Sequence, residues 1–248
     1  MATARCPKKT PRKRLLLTLT WSLATAALAV TSVEAADFRA DRERMVREQI
    51  ESRGITNAQV LAAMRQVPRH EFVPEQWIDA AYEDHPLPIG HGQTISQPYI
   101  VALMTELLQP ARGAKVLEVG TGSGYQAAIL AEMGAEVWSI EILEPLATEA
   151  AARLKRLGYH KVHVKRGDGY LGWPEQAPFD GIMVTAGADH IPPPLIEQLK
   201  AGGRMVIPVG EAHAEQSLLL VEKALDGKIS TRNVAPVLFV PLTREPGR

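Results

Sequence analysis

The stretch VLEVGTGSGY, Val116 to Tyr125, sets an apolar run directly before a turn with glycine at every second position, and a helix-forming segment follows. A strand entering such a turn lets backbone pass close to a ligand, because Gly120, Gly122 and Gly124 carry no Cβ to block it. A tight strand-to-helix turn with no ligand is the alternative for this stretch alone. Working outward, Glu141 falls 21 residues after Gly120, at the end of the next β-rich run, where a carboxylate can accept hydrogen bonds from ribose hydroxyls.

Around this turn the texture is one of alternation. Strand candidates fall at 115–119, 136–141, 161–165, 180–185 and 203–208, with helical stretches between them, notably Ser123 to Met133 and Glu144 to Leu157. Such βαβ units predict an α/β fold with a mostly parallel central sheet and helices on both faces. Gln216 to Glu222 and Lys228 to Val234, joined through Asp226-Gly227, predict a C-terminal β-hairpin. Upstream, the pattern predicts an amphipathic helix from about Asp37 to Arg53, stopped by Gly54. A second helix carries Val60, Leu61 and Met64, is capped by Thr56 or Asn57 and is stopped by Pro68. Between Pro68 and Pro98 the chain is dense in Pro, Gly and His without periodicity, so it reads as a long ordered loop and not as a helix or strand pair.

The 248 residues are 46% hydrophobic, enough for one sizeable core. Lys8, Lys9, Lys13 and the arginines at 5, 12 and 14 precede an apolar run from Leu15 to Val30. Val33 and Ala35 then supply small residues, the order of a secretory signal peptide. The run is short and polar for a permanent membrane helix; Met45 is an alternative start. The expected organisation is a leader at 1–35, N-terminal helices with an active-site loop at 36–110, and a binding core at 111–248, one catalytic domain overall. Beyond the leader remain 22 basic and 27 acidic residues, a net charge of −5, a poor match for nucleic acid. The only cysteine, Cys6, lies in the leader, so the body offers no disulfide, thiol nucleophile or Cys-ligated metal.

Glycine spacing separates two cofactor classes. A dinucleotide fingerprint is G-x-G-x-x-G, whereas here the pattern is G-x-G-x-G, and Tyr125 stands where the last glycine would fall. Glu118 adds a carboxylate inside the first strand, and Asp168 in Gly167-Asp168-Gly169 could bind an adenine amino group. Three acidic side chains suit the cationic S-adenosyl-L-methionine better than a diphosphate. These motifs resemble those of class I methyltransferases, a Rossmann-like fold. YEDHPLPIGHGQTISQPY, Tyr82 to Tyr99, narrows the resemblance to the protein-L-isoaspartate O-methyltransferases. The likeness continues through PFDGIMVTAGA (178–188), GGRMVIPVG (202–210) and FVPLT (239–243), covering roughly residues 40–244, with the leader as the departure.

The resemblance implies transfer of a methyl group from S-adenosyl-L-methionine to the α-carboxylate of an L-isoaspartyl residue in a damaged protein, giving an ester that collapses to a succinimide. A carboxylate is an anion at neutral pH and needs no general base, so the catalyst's work is positioning. The family's active-site serine falls on Ser96, with an orienting role; a capping role for the helix near Pro98 is the alternative. Thr94, Ile95 and Ser96 would close over the donor, and Glu118, Gly120, Gly122, Gly124, Glu141, Gly167 and Asp168 would contact it. His91, Ile95, Thr185 and Ala186 would lie on the substrate side, with Thr243 a weaker carry-over. Asp84, His85 and His91 cluster within eight residues, but no regular element fixes their directions, and no metal is expected. Trp173 suits core or ligand equally, and Pro192 to Pro194 should start a helix.

The chain lacks the Asn/Asp-Pro-Pro-Tyr/Phe motif that receives a flipped base after the fourth strand, holding Val184-Thr185-Ala186-Gly187 there. A small-molecule O-methyltransferase and a non-catalytic exported relative remain as rivals. The expected enzyme is a monomer without stable membrane insertion once the leader is removed. The chemistry places it in the cytoplasm, against the leader, which argues for the periplasm.

Overall fold

The computed structural model describes Met1 and residues 38–245. The leader expected at residues 1–35 therefore lies, Met1 apart, outside the described residues. Seven strands form the main sheet: β3 (Lys115–Val119), β4 (Glu136–Glu141), β5 (Val162–Arg166), β6 (Phe179–Val184), β7 (Leu199–Val209), β8 (Gln216–Lys223) and β9 (Ile229–Val237). Their spatial order is β5-β4-β3-β6-β7-β8-β9. The first five run parallel, and β8 and β9 are antiparallel additions at one edge. The α/β fold and the terminal hairpin expected from the sequence are both present. At the hairpin turn Gly227 has φ +85° and Asp226 Oδ1 accepts from the Lys228 amide at 3.0 Å, the Asx geometry that an Asp-Gly pair favours.

Helices α4 (Tyr125–Glu132), α5 (Glu144–Arg156) and α6 (Pro193–Gln198) connect these strands; α6 opens with prolines in its first turn, where a missing N–H costs nothing. α2 (Ala58–Gln66) is capped by Asn57, whose side chain accepts from Gln59 and Val60 amides, and α3 (Pro98–Leu108) leads into β3. The first helix departs from the regular pattern. Residues 38–45 are α-helical (α1), but Val46–Ile50 widen into a π turn and Glu51–Arg53 tighten into a 3₁₀ turn before the left-handed cap at Gly54. The wide turn brings Ile50 into the core beside Met45 and Val46, five and four residues behind it, all three fully buried. One apolar cluster runs from Met45 to Val237, so the N-terminal helices and the sheet share a core.

Residues 68–98 correct the expectation of a plain loop. They contain 3₁₀ turns at Arg69–Phe72 and Glu75–Trp77 and an antiparallel pair, β1 (Leu87–Gly90) with β2 (Gln93–Ile95). Leu87 and Ile89 point inward between exposed Pro88 and Gly90, an alternation of only four residues, and the chain reverses through Gly90, His91 and Gly92, all at positive φ. Among the described residues no helix is long and apolar enough to cross a membrane.

Candidate active site

Strand order reverses between β3, which pairs with β4, and β6, which pairs with β3 on its other side, so the connections after β3 and β6 diverge at the carboxyl edge. A crevice is the geometric consequence of such a switch point. Here it is an open cleft. Gly120 to Ser123 after β3, Glu141 to Leu143 after β4 and Thr185-Ala186 after β6 line it from the sheet edge, and Gln93 to Ser96 line it from β2. Val101, Gln126 and Gly169 contribute, and Val240 to Thr243 close the remaining side.

The glycine turn is held by its neighbours. Gly120 and Thr121 amides donate to the Ile140 carbonyl at 2.8 and 3.2 Å, and the Thr185 hydroxyl is shared between the carbonyls of Gly120 at 2.6 Å and Val119 at 3.0 Å. A Cβ on Gly120 would stand 2.5 Å from Thr185 Oγ1, and φ there is +99°. A side chain at Gly120 would be strained and would displace the Thr185 hydroxyl. Gly124, left-handed at φ +88°, instead packs on α5: its Cβ would lie 3.1 Å from Leu154. Glu141 accepts from the Gly122 amide at 2.9 Å and the Leu143 amide at 3.0 Å, which pins its carboxylate at the end of β4 facing the cleft.

Of the residues expected from the sequence, the cleft wall gathers Thr94, Ile95, Ser96, Gly120, Gly122, Glu141, Thr185, Ala186 and Thr243. Glu118, Gly124, Gly167, Asp168 and His91 stand outside it. Glu118 is fully buried, and its Oε2 pairs with Ser139 Oγ; Ser139 Oγ meets Thr121 Oγ1 at 2.6 Å, and Thr121 faces the cleft. Burial pushes the Glu118 carboxyl up to about 8, with the charge of Glu141 adding to the rise and the Ser139 hydrogen bond opposing it, so the group is protonated at neutral pH. Asp168 is also buried: Oδ1 accepts from the Tyr170 amide at 3.0 Å and Oδ2 from Arg244 Nε at 2.9 Å, while the Arg244 guanidinium lies 3.6 Å from the Tyr170 ring centroid. Its neighbour Gly169, not its own side chain, reaches the cleft.

Ser96 does not cap α3; the cap position is Gln97, and no side chain satisfies the first-turn amides. His91 sits exposed at the β1–β2 tip. Asp84 pairs with Arg53 at 2.8 Å, and His85 with Glu83 at 2.8 Å; beside Pro86 and Glu83 the imidazole titrates above its ordinary value. Among the described residues no three His, Cys, Asp or Glu side chains are grouped as a metal would need. Trp173 packs edge-to-face on Trp138, ring centroids 5.2 Å apart, against the apolar cluster of the sheet's other face.

Several cleft residues went unnoticed in the sequence. Thr121 and Ser123 sit inside the glycine motif, between its glycines. Gln126 is the second residue of α4, directly after that motif, and Val240 to Leu242 fall within the FVPLT stretch, of which only Thr243 was expected at the site.

Known proteins resemble this architecture and chain. A family model described as protein-L-isoaspartate(D-aspartate) O-methyltransferase matches residues 40–247. A protein-L-isoaspartate O-methyltransferase of Opitutus terrae is 61% identical over 227 residues, 90% of this chain and 97% of its own. One of Polaromonas sp. is 65% identical over 184 residues, covering 74% and 87%. A solved structure of a protein-L-isoaspartate O-methyltransferase aligns with TM-score 0.74 at 31% identity, over 81% of this chain and 65% of that one. A second, from Plasmodium falciparum in complex with S-adenosyl-L-homocysteine, aligns with TM-score 0.69 at 27% identity, over 82% and 98%.

Proposed function

The chain belongs to the protein-L-isoaspartate(D-aspartate) O-methyltransferase family, and from that premise we propose which residues carry its reaction. The enzyme transfers a methyl group from S-adenosyl-L-methionine to the carboxylate of L-isoaspartyl residues in damaged proteins. The donor supplies an electrophilic methyl on a sulfonium sulfur. One oxygen of the acceptor carboxylate forms the new O–CH₃ bond as the S–CH₃ bond breaks, leaving a neutral ester and a neutral thioether. No proton moves, so no side chain has to act as a base.

The residues present fit such a donor. Gly120 to Ser123 line the cleft beside Glu141, which presents a carboxylate at the end of β4, and Ile142, Leu143 and Val240 add apolar walls. Gly120, Gly122, Glu141 and the Thr94–Ser96 wall hold the donor in this reading, Glu118 and Gly124 support the turn from behind, and the Gly167-Asp168 corner supports Gly169. Ser96 orients the acceptor carboxylate through its hydroxyl, with Ile95, Thr185 and Ala186 around the isoaspartyl side chain and His91 at the entrance.

The observation that carries the assignment of Ser96 is that it lines the same cleft as the Gly120–Ser123 turn while its hydroxyl is not spent on capping α3. A hydrogen bond to an ionic acceptor contributes about 1.5 to 3 kcal/mol, so Ser96→Ala should lower kcat/KM for an L-isoaspartyl peptide by about tenfold to a hundredfold. The assay is base-labile methyl ester on paired peptides containing L-isoaspartate or L-aspartate. Ester on the isoaspartyl peptide alone, lost with Ser96→Ala, is the expected result. Unchanged turnover of Ser96→Ala would remove the serine from this role; donor binding with ester on neither peptide would favour a small-molecule substrate, and absence of donor binding a non-catalytic relative.

We place the working enzyme in the cytoplasm, because its donor is made there, and take it to act as a monomer. The mature N-terminus recovered from fractionated cells tests this, and a start at Ala36 in the periplasm would reverse it. Light scattering tests the monomer.

A further inference from the structure

A guanidinium buried without a carboxylate is expensive, and a well-packed apolar side chain in its place is often as stable or more so. Arg69 is close to such a group: it is fully buried, and among the described residues no acidic side chain comes within ion-pair distance, the charge of Asp84, itself paired with Arg53, acting on it only from farther away. Its Nε donates to the Ala81 carbonyl and its Nη2 to the Ser96 carbonyl, both at 2.8 Å, while Nη1 has no partner. The guanidinium carbon lies 4.9 Å from the centroid of the Tyr125 ring, the first residue of α4 and the one that follows the glycine turn. One side chain thus links the Ser96 backbone to the buried Tyr125 ring, next in sequence to the glycine turn.

The segment it touches has few other restraints. The β2 ladder ends at Ile95, which pairs with Leu87, and α3 starts at Pro98, whose nitrogen has no hydrogen to give. Between them Ser96 offers its carbonyl to Arg69, and Gln97 Nε2 reaches the Asp84 carbonyl at 3.0 Å. Without Arg69 the Ser96 carbonyl loses its partner, and the residue is held only through its neighbours Ile95 and Gln97.

We propose that Arg69 is a positioning residue for methyl transfer, fixing the Ser96 backbone relative to the glycine turn by bonding the Ser96 and Ala81 carbonyls across the Tyr125 ring. The inference rests on the reading of Ser96 as the residue that orients the acceptor. Lysine cannot replace it, because a point ammonium does not present two donors in the fixed fork that spans both carbonyls.

The test is a double-mutant cycle of Arg69→Ala and Ser96→Ala, with Arg69→Lys alongside, read as kcat on an isoaspartyl peptide and as affinity for S-adenosyl-L-homocysteine by calorimetry. Misplacement by about 1 Å costs on the order of 100-fold, so Arg69→Ala should lose that much kcat while affinity stays within about threefold. In the Ser96→Ala background the same change should cost less than about threefold, because the group being positioned is gone. Guanidinium at millimolar concentration should restore part of the Arg69→Ala activity and leave the wild type unaffected. The proposal falls if Arg69→Ala or Arg69→Lys turns over like wild type, if kcat and affinity decline together without guanidinium rescue, or if the losses multiply in the double variant. Loss of fold in every Arg69 variant by circular dichroism also counts against it, since the role would then be structural. If Ser96→Ala is fully active, the Ser96 reading fails and this inference with it; if Ser96→Ala is slow and Arg69→Ala is not, only this inference fails.

Discussion

Glu118→Gln should stabilise the enzyme at neutral and higher pH and destabilise it slightly in mild acid. The carboxyl is fully buried, with a folded-state pKa raised from 4.5 to about 8 chiefly by burial. A group whose folded pKa exceeds its unfolded value binds a proton on folding between the two. Its contribution to stability is therefore fully present below about 4.5 and is lost as pH rises to about 8, at up to about 1.4 kcal/mol per unit. By pH 7 this amounts to a penalty on the order of 3 kcal/mol. Glutamine removes it and keeps an oxygen for Ser139, but it sets an amide N–H where Glu118 Oε1 has no partner, which costs about 1 to 2 kcal/mol. The net gain at pH 7 is about 1 to 2 kcal/mol, and the two stability curves cross between about pH 5 and 6. Urea unfolding of both proteins at pH 5, 6, 7 and 8 measures this directly. Parallel curves would refute the reasoning, since they would mean that Glu118 titrates alike in folded and unfolded chains. The same variant separates two roles for the side chain. A direct contact with the donor's amino group would make Glu118→Gln cost about tenfold or more in S-adenosyl-L-homocysteine affinity, whereas support through Ser139 and Thr121 leaves it within about threefold.

Two further perturbations probe the cleft. Gly120→Ala forces a Cβ to φ +99° and to 2.5 Å from Thr185 Oγ1, so donor affinity should drop at least about tenfold from a strain of about 1 to 2 kcal/mol plus the clash, and adding Thr185→Ala should recover part of it; calorimetry showing wild-type binding for Gly120→Ala would contradict the packing. Arg244→Gln removes the charge that holds the buried Asp168, so amide exchange across Val240 to Thr243 should accelerate and S-adenosyl-L-homocysteine affinity fall by about tenfold; unchanged exchange in that segment would show that the strap is held without the ion pair.

What the chain betrays of itself is what is local. The strand, the glycine turn and the acidic end at Glu141 are contiguous or fall at fixed offsets, and they lie where expected because a parallel strand leading into a helix has few alternatives. The β1–β2 hairpin escaped because a ladder of four residues against three gives no measurable alternation, and its turn uses His91 in a left-handed conformation that glycine ordinarily supplies. Glu118 shows a different limit. Val116 to Val119 are all buried, as a central parallel strand requires, so the sequence does not say which face meets the cleft. Arg244 reaches Asp168 across 76 residues and Arg69 reaches Ser96 across 27; no periodicity encodes either meeting.

These placements answer an electrostatic conflict in the chemistry. A cationic donor favours carboxylates around it, yet the acceptor is itself a carboxylate, and two such charges about 5 Å apart repel by about 3 kcal/mol at an effective dielectric near 20. Three ionised acids facing the cleft would hold the donor and repel the substrate. The fold retains one in that wall, Glu141, with backbone amides already on both of its oxygens. Glu118 is kept outside that wall and protonated, and the charge of Asp168 is met by Arg244. The other polar side chains lining the cleft are neutral, among them Thr94, Ser96, Thr121 and Gln126. For a reaction that needs alignment and no proton transfer, a wall of oriented neutral dipoles holds an anion without opposing it, and this is why the buried arginine that fixes Ser96 can matter more than a charge placed within reach of the substrate.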